Sequence, residues 1–173
     1  FIEAQAYLER FYEGFGFITF GEQDGRMSER IAALKTACDA SPSIKAAAVP
    51  DVLQKMWEKL VMLATLAGMT TLMRANVGEI VRAGGAEIAA TMLERNAEIA
   101  RRSGHSVPET LMANYRKMFA DAHGGFTASM LRDLEKGGPV EADHIVGFMR
   151  DKARELGVDD NLHTIAYMHL KAY

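Results

Sequence analysis

The chain has 173 residues, of which 49% are apolar and 25% charged, and its net charge is −3 at pH 7. That balance belongs to a folded domain with a real core, not to a disordered chain. The slight negative charge gives no basic footprint for nucleic acid or an anionic membrane. Cys38 is the only cysteine, which excludes a disulfide framework and a cysteine-rich metal site. The longest uncharged run, Leu60 to Met73, is too short to span a bilayer, and no secretory signal is visible. The expected address is therefore cytoplasmic. The first residue is Phe1, not a methionine, which reads as a fragment or a trimmed chain.

Residues 1–25 are rich in aromatic residues and glycine. Gly16 to Phe20 is dense in β-formers and reads as a short strand, with Gln23-Asp24-Gly25 as a turn. One strand cannot bury itself, so it is expected to belong to a sheet lying mostly outside this sequence. Ser28 reads as the N-cap of a helix to about Asp39, with Ile31, Leu34 and Cys38 inward. Ile44 to Val49 reads as a second short strand, and Pro50 as the opening of a long helix. In that helix Leu53, Met56, Trp57, Leu60, Leu63, Ala64 and Ala67 follow the spacing of one face. From Leu60 to Leu66 nearly every position is apolar, as in a helix buried on most sides.

The remainder is read as helices separated by glycine and proline. Asn76 and Glu79 form a capping box, and Gly84-Gly85 ends the short helix they start. Ala86 to Arg102 is strongly amphipathic. Ser106, Pro108 and Glu109 read as the cap, early proline and box glutamate of a helix reaching about His123. Thr127 to Leu134 is a short helix stopped by Gly137-Gly138-Pro139. Glu141 to Leu156 is another, with Gly157 just past its end. Asn161 to Tyr173 is the last.

Lys59 stands at the mouth of the apolar run, where a lysine either snorkels outward or stays inside with a depressed pKa. Its functional reading needs partners brought close by folding, and Ser129 and Glu141 are candidates across the glycine-rich turn. Each also has an ordinary reading, Ser129 as a helix-start hydroxyl and Glu141 as a carboxylate favoured by the helix dipole. Glu141, Asp143 and His144 do not share one helix face, and His163 and His169 are six apart, so no metal site is expected. The methionines Met56, Met62, Met69 and Met73 read as core filling. Glu94, Arg95, Glu98, Arg101 and Arg102 read as a solvated, ion-paired face.

Taken in order, several stretches resemble the C-terminal half of the ketopantoate reductase (2-dehydropantoate 2-reductase) family. They are Phe20-Gly21-Glu22 with Asp24-Gly25 and Arg30; Trp57-Glu58-Lys59-Leu60; Gly78-Glu79; and Ala128-Ser129-Met130-Leu131-Arg132-Asp133. Glu141, Asp143, Ile145 and Gly147 follow, then Leu156-Gly157-Val158 and Leu170-Lys171. The resemblance implies a mainly α fold, the multi-helix C-terminal domain of the 6-phosphogluconate-dehydrogenase-like type. Residues 1–27 would be the tail of a Rossmann nucleotide-binding domain, and residues 28–173 the helical catalytic domain. It further implies an NADP-dependent 2-keto acid reductase that converts ketopantoate to pantoate in pantothenate biosynthesis. NADP(H) would be held mainly by a Rossmann domain absent from this chain, since no glycine-rich phosphate loop is present. By the same resemblance Lys59 is the general acid, Ser129 binds the substrate, and Glu141 sits beside the cofactor ribose and the lysine. Where the family presents asparagines one and two turns beyond the lysine, this chain has Leu63 and Ala67. The other reading is a non-catalytic helical dimerisation or binding module, and a homodimer stays open under both.

Overall fold

In the computed structural model the described residues are 4–10, for backbone only, with 16–41 and 44–173. They form two compact units, Phe1–Met56 and Trp57–Tyr173. The first holds a three-stranded sheet of β1 (Ala4–Arg10), β2 (Gly16–Glu22) and β3 (Ile44–Ala48), in that order. β1 and β2 are antiparallel, pairing Ala4 with Glu22 and Arg10 with Gly16. β2 and β3 are parallel, pairing Gly16 with Ile44 and Phe20 with Ala48, and α1 (Glu29–Asp39) connects them. The expected strand at 16–20 thus finds its partners within this chain. Packing of α1 against β2 and β3 gives the first unit a small core of its own.

Phe20, Ile31 and Cys38 form this unit's small core, whereas Leu34, expected to face inward, is 40% exposed. Ser28 caps α1, its Oγ accepting from the Ile31 N–H. The same hydroxyl donates to Glu22 at 2.5 Å, and Arg30 clasps that carboxylate with two nitrogens. Hydrogen bonds from Arg30, then from Ser28, hold the Glu22 carboxyl down at about 2. Gly21 permits a close crossing, since a Cβ there would stand 2.1 Å from the Val49 carbonyl oxygen. The Phe-Gly-Glu and Arg30 pattern is therefore a strand-end clasp.

Helix α2 (Val52–Met73) begins two residues after Pro50, which sits in the preceding turn instead of the first helical position. The second unit is helical: α2 from Trp57 onward, α3 (Val77–Arg82), α4 (Ala86–Arg102), α5 (Glu109–Phe119), α6 (Ser129–Glu135), α7 (Phe148–Leu156) and α8 (Asn161–Lys171). Every residue of α2 from Ala64 to Thr71 is buried, one turn later than the composition indicates, and Met56 is exposed. Such a helix contains polar residues only if they are satisfied. Thr65, Thr70 and Thr71 each donate to the carbonyl four residues back. The Asn76–Glu79 capping box forms with both bonds at 2.9 Å.

Two further elements differ from expectation. α5 starts at Glu109 with Pro108 flanking it in an extended conformation; no side chain caps it, and it ends at Phe119. The stretch expected to be one helix from Glu141 instead opens with a π-helical turn, Asp143–Gly147, before α7. No helix among the described residues is long and apolar enough to cross a membrane.

Candidate active site on helix α2

Lys59 lies on α2, half-buried, two residues after Trp57 and one after the buried Glu58. Burial lowers its ammonium from the usual lysine range to about 8. A strongly basic point charge becomes a group that exchanges its proton near neutrality. The helix around it is held from several sides. The Tyr115 hydroxyl on α5 donates to the Glu58 carbonyl at 3.2 Å. Trp57 stacks on His105, with ring centroids 5.6 Å apart, and meets Phe148 at 5.9 Å.

Ser129 is the first residue of α6 and is exposed, and Ala128, not Ser129, is the cap residue. The start of α6 is tied to α2 through the Ala128 N–H, which donates to Thr70 Oγ1 at 3.4 Å. Glu141 is exposed and precedes the π turn, its carbonyl accepting from the Ile145 N–H at 3.3 Å. It borders an open cleft of about 550 Å³ together with Asp133, Pro139, Val140, Asp143 and His144. Lys59 and Ser129 do not line that cleft. α6 and α7 are thus each tied to α2, one through Thr70 and the other through the Phe148–Trp57 contact. Among the described residues no three His, Cys, Asp or Glu side chains gather as a metal site.

Beyond Lys59, Leu63 is half-buried and Ala67 fully buried in the main core. The next polar groups on α2 face inward. Thr65 accepts from the Asn96 amide at 2.9 Å, and Asn96 Oδ1 meets His163 Nε2 at 2.7 Å. This buried chain linking α2, α4 and α8 escapes a reading by motif. Its one visible trace is Asn96 itself, set on the inner face of α4 among Leu93, Ile99 and Ala100.

The chain is similar in fold to solved oxidoreductases. The Methylococcus capsulatus 2-dehydropantoate 2-reductase matches with a TM-score of 0.81 at 21% identity, over 98% of this chain and 61% of that one. D-mandelate dehydrogenase, in its ternary structure with NADH and anilino(oxo)acetate, matches with a TM-score of 0.73 at 20% identity, over 92% and 66%. Residues 51–173 match the profile described as ketopantoate reductase PanE/ApbA C-terminal, so the chain belongs to that family. Among curated relatives, the 2-dehydropantoate 2-reductase of Archaeoglobus fulgidus is 31% identical over 150 residues, 86% of this chain and 49% of that protein. The chain spans about half the length of the curated relatives it matches.

Proposed function

We propose that this chain is the catalytic C-terminal half of a 2-keto acid reductase using NADP(H), with Lys59 as its general acid. The observation that carries the reading is the desolvated Lys59 ammonium on α2, in a chain of the ketopantoate reductase family. When bound, the nicotinamide supplies a hydride to the ketone carbon. Negative charge then grows on the ketone oxygen, and the Lys59 ammonium gives that oxygen a proton. A group near 8 is mostly charged at pH 7 yet releases its proton more readily than an ordinary lysine. Ser129 donates a hydrogen bond to the substrate. Glu141 suits a sugar: its exposed carboxylate accepts from ribose hydroxyls, and the cleft beside it has room for a ring of that size.

Of the two apolar positions beyond the lysine, half-buried Leu63 bears on the substrate, while Ala67 is absorbed into the core. An apolar face beyond the lysine favours a 2-keto acid less polar than ketopantoate, because amides that would orient a hydroxyl are absent. The neighbouring D-mandelate dehydrogenase, seen with NADH and anilino(oxo)acetate, supports both the cofactor class and the less polar substrate. Residues 1–27 are proposed as the tail of the nucleotide-binding domain, the cytoplasm as the compartment, and a homodimer as the assembly.

The test is Lys59→Ala in the full-length protein, assayed on a panel of 2-keto acids. Turnover is expected to fall by a factor of about a hundred or more, the scale of general acid catalysis. Lys55→Ala, on the exposed side one turn earlier, serves as the control and leaves turnover unchanged. Wild-type turnover in Lys59→Ala overturns the assignment.

A further inference from the structure

The π turn Asp143–Gly147 stands between Glu141 and the Phe148 ring that meets Trp57. Its defining bond runs from the Gly147 N–H to the Ala142 carbonyl, five residues back, at 2.8 Å. Such a turn carries one residue more than an α turn, so everything before it is rotated by about 100° relative to an unbroken helix. Glu141 is joined directly to this turn, its carbonyl accepting from the Ile145 N–H at 3.3 Å. An isolated π turn is poorly favoured, and something outside it must hold it open.

Helix α8 supplies that hold through one residue. The Tyr167 ring lies against Gly147 so closely that a Cβ there would stand 2.9 Å from Cε2, while the same Cβ would meet the Ala142 oxygen at 3.2 Å. The Tyr167 hydroxyl donates to Asp143 Oδ1 at 2.5 Å, and Lys171 donates to Oδ2 of the same carboxylate at 3.2 Å. The ring is backed by the Arg150 guanidinium, 3.9 Å from its centroid. One side chain thus grips the first and last residues of the turn, by its hydroxyl at Asp143 and by its ring at Gly147.

We infer that Tyr167 is a positioning residue for Glu141, holding the π turn that sets the direction of that carboxylate. The inference rests on the role proposed above for Glu141. The test is a double-mutant cycle in the full-length protein, with Tyr167→Leu and Glu141→Gln alone and together. It reads turnover on the best 2-keto acid and, separately, the dissociation constant of NADPH by fluorescence titration. Tyr167→Leu is expected to lower turnover and weaken NADPH binding by about tenfold each, and both losses should vanish in the Glu141→Gln background. Tyr167→Phe keeps the ring on Gly147 and gives up only the bond to Asp143. It should lose about threefold, again only while Glu141 is present, and it serves should the leucine variant fail to fold. Equal losses with and without Glu141 overturn the inference, since a purely structural residue acts independently of it. Glu141→Gln with wild-type turnover and NADPH binding overturns the role of Glu141 itself.

Discussion

Asn96 and His163, 67 residues apart in the chain, meet at 2.7 Å with no exposed surface on either residue. Asn96 spends its amide N–H on Thr65, whose own hydroxyl donates to the Val61 carbonyl. Asn96 Oδ1 must therefore accept, which assigns the proton of a neutral His163 to Nε2. His163 Nδ1 is then a buried acceptor with no hydrogen-bond partner among the described residues.

This geometry makes the fold acid-sensitive through one residue. Burial pushes His163 down to about 4, below the value of about 6.5 expected when unfolded. The unfolded chain then binds the proton that the folded chain refuses. Stability is fully present above about pH 6.5 and drains away as pH falls toward about 4. By pH 5 the loss is about 2 kcal/mol. Urea unfolding at pH 7 and pH 5 should show this difference in the wild type, and His163→Gln should remove most of it. An identical pH dependence in both proteins would show that the histidine is not the sensor.

Binding of NADPH by these 173 residues alone should be weak. A helix start behind a glycine-rich turn supplies much of the affinity for a pyrophosphate, and the sequence contains no such turn. Titration calorimetry is expected to give a dissociation constant of about a millimolar or weaker, and a micromolar value would locate the binding energy in this chain after all.

Of the two apolar positions one and two turns beyond Lys59, only Leu63 keeps any exposure, because Ala67 is wholly absorbed into the core. Substrate discrimination should therefore respond to Leu63 and not to Ala67. Leu63→Asn is expected to shift the ratio of specificity constants toward hydroxylated 2-keto acids by about tenfold or more. A wild-type enzyme that already prefers ketopantoate would mean that other residues make those contacts.

Much of this architecture is legible in the residues because local chemistry decides it. Asn76 and Glu79 satisfy each other's backbone, and Ala86 to Arg102 segregates its faces cleanly, so both elements stand where the pattern puts them. Where a tertiary contact decides, the pattern misleads. Ser106 and Glu109 have the spacing of a capping box, yet the helix starts at Glu109. Leu34 keeps a core-facing spacing, but the small core of Phe20, Ile31 and Cys38 leaves it outside. The π turn at Asp143–Gly147 is invisible in the residues around it, since Tyr167, twenty residues later, makes it favourable. The helices carrying Lys59 and Ser129 are legible, whereas Glu141, expected to open a helix, stands just before the π turn, and spacing leaves both an outward and an inward Lys59 open. The cleft at Glu141 and the tie from Ala128 to Thr70 depend on the chain turning back on itself, which spacing does not encode.

The central claim, that Lys59 delivers the proton, is tested most directly by the pH dependence of kcat/KM for the full-length protein on its best 2-keto acid. The donor must carry its proton when substrate and reduced cofactor are bound. The rate should hold to about pH 7.5 and fall above about 8, tenfold per pH unit, as the ammonium is lost. Lys59→Ala should erase that falling limb along with most of the activity. A wild-type rate that stays level to about pH 10, or a falling limb that survives in Lys59→Ala, would contradict the account.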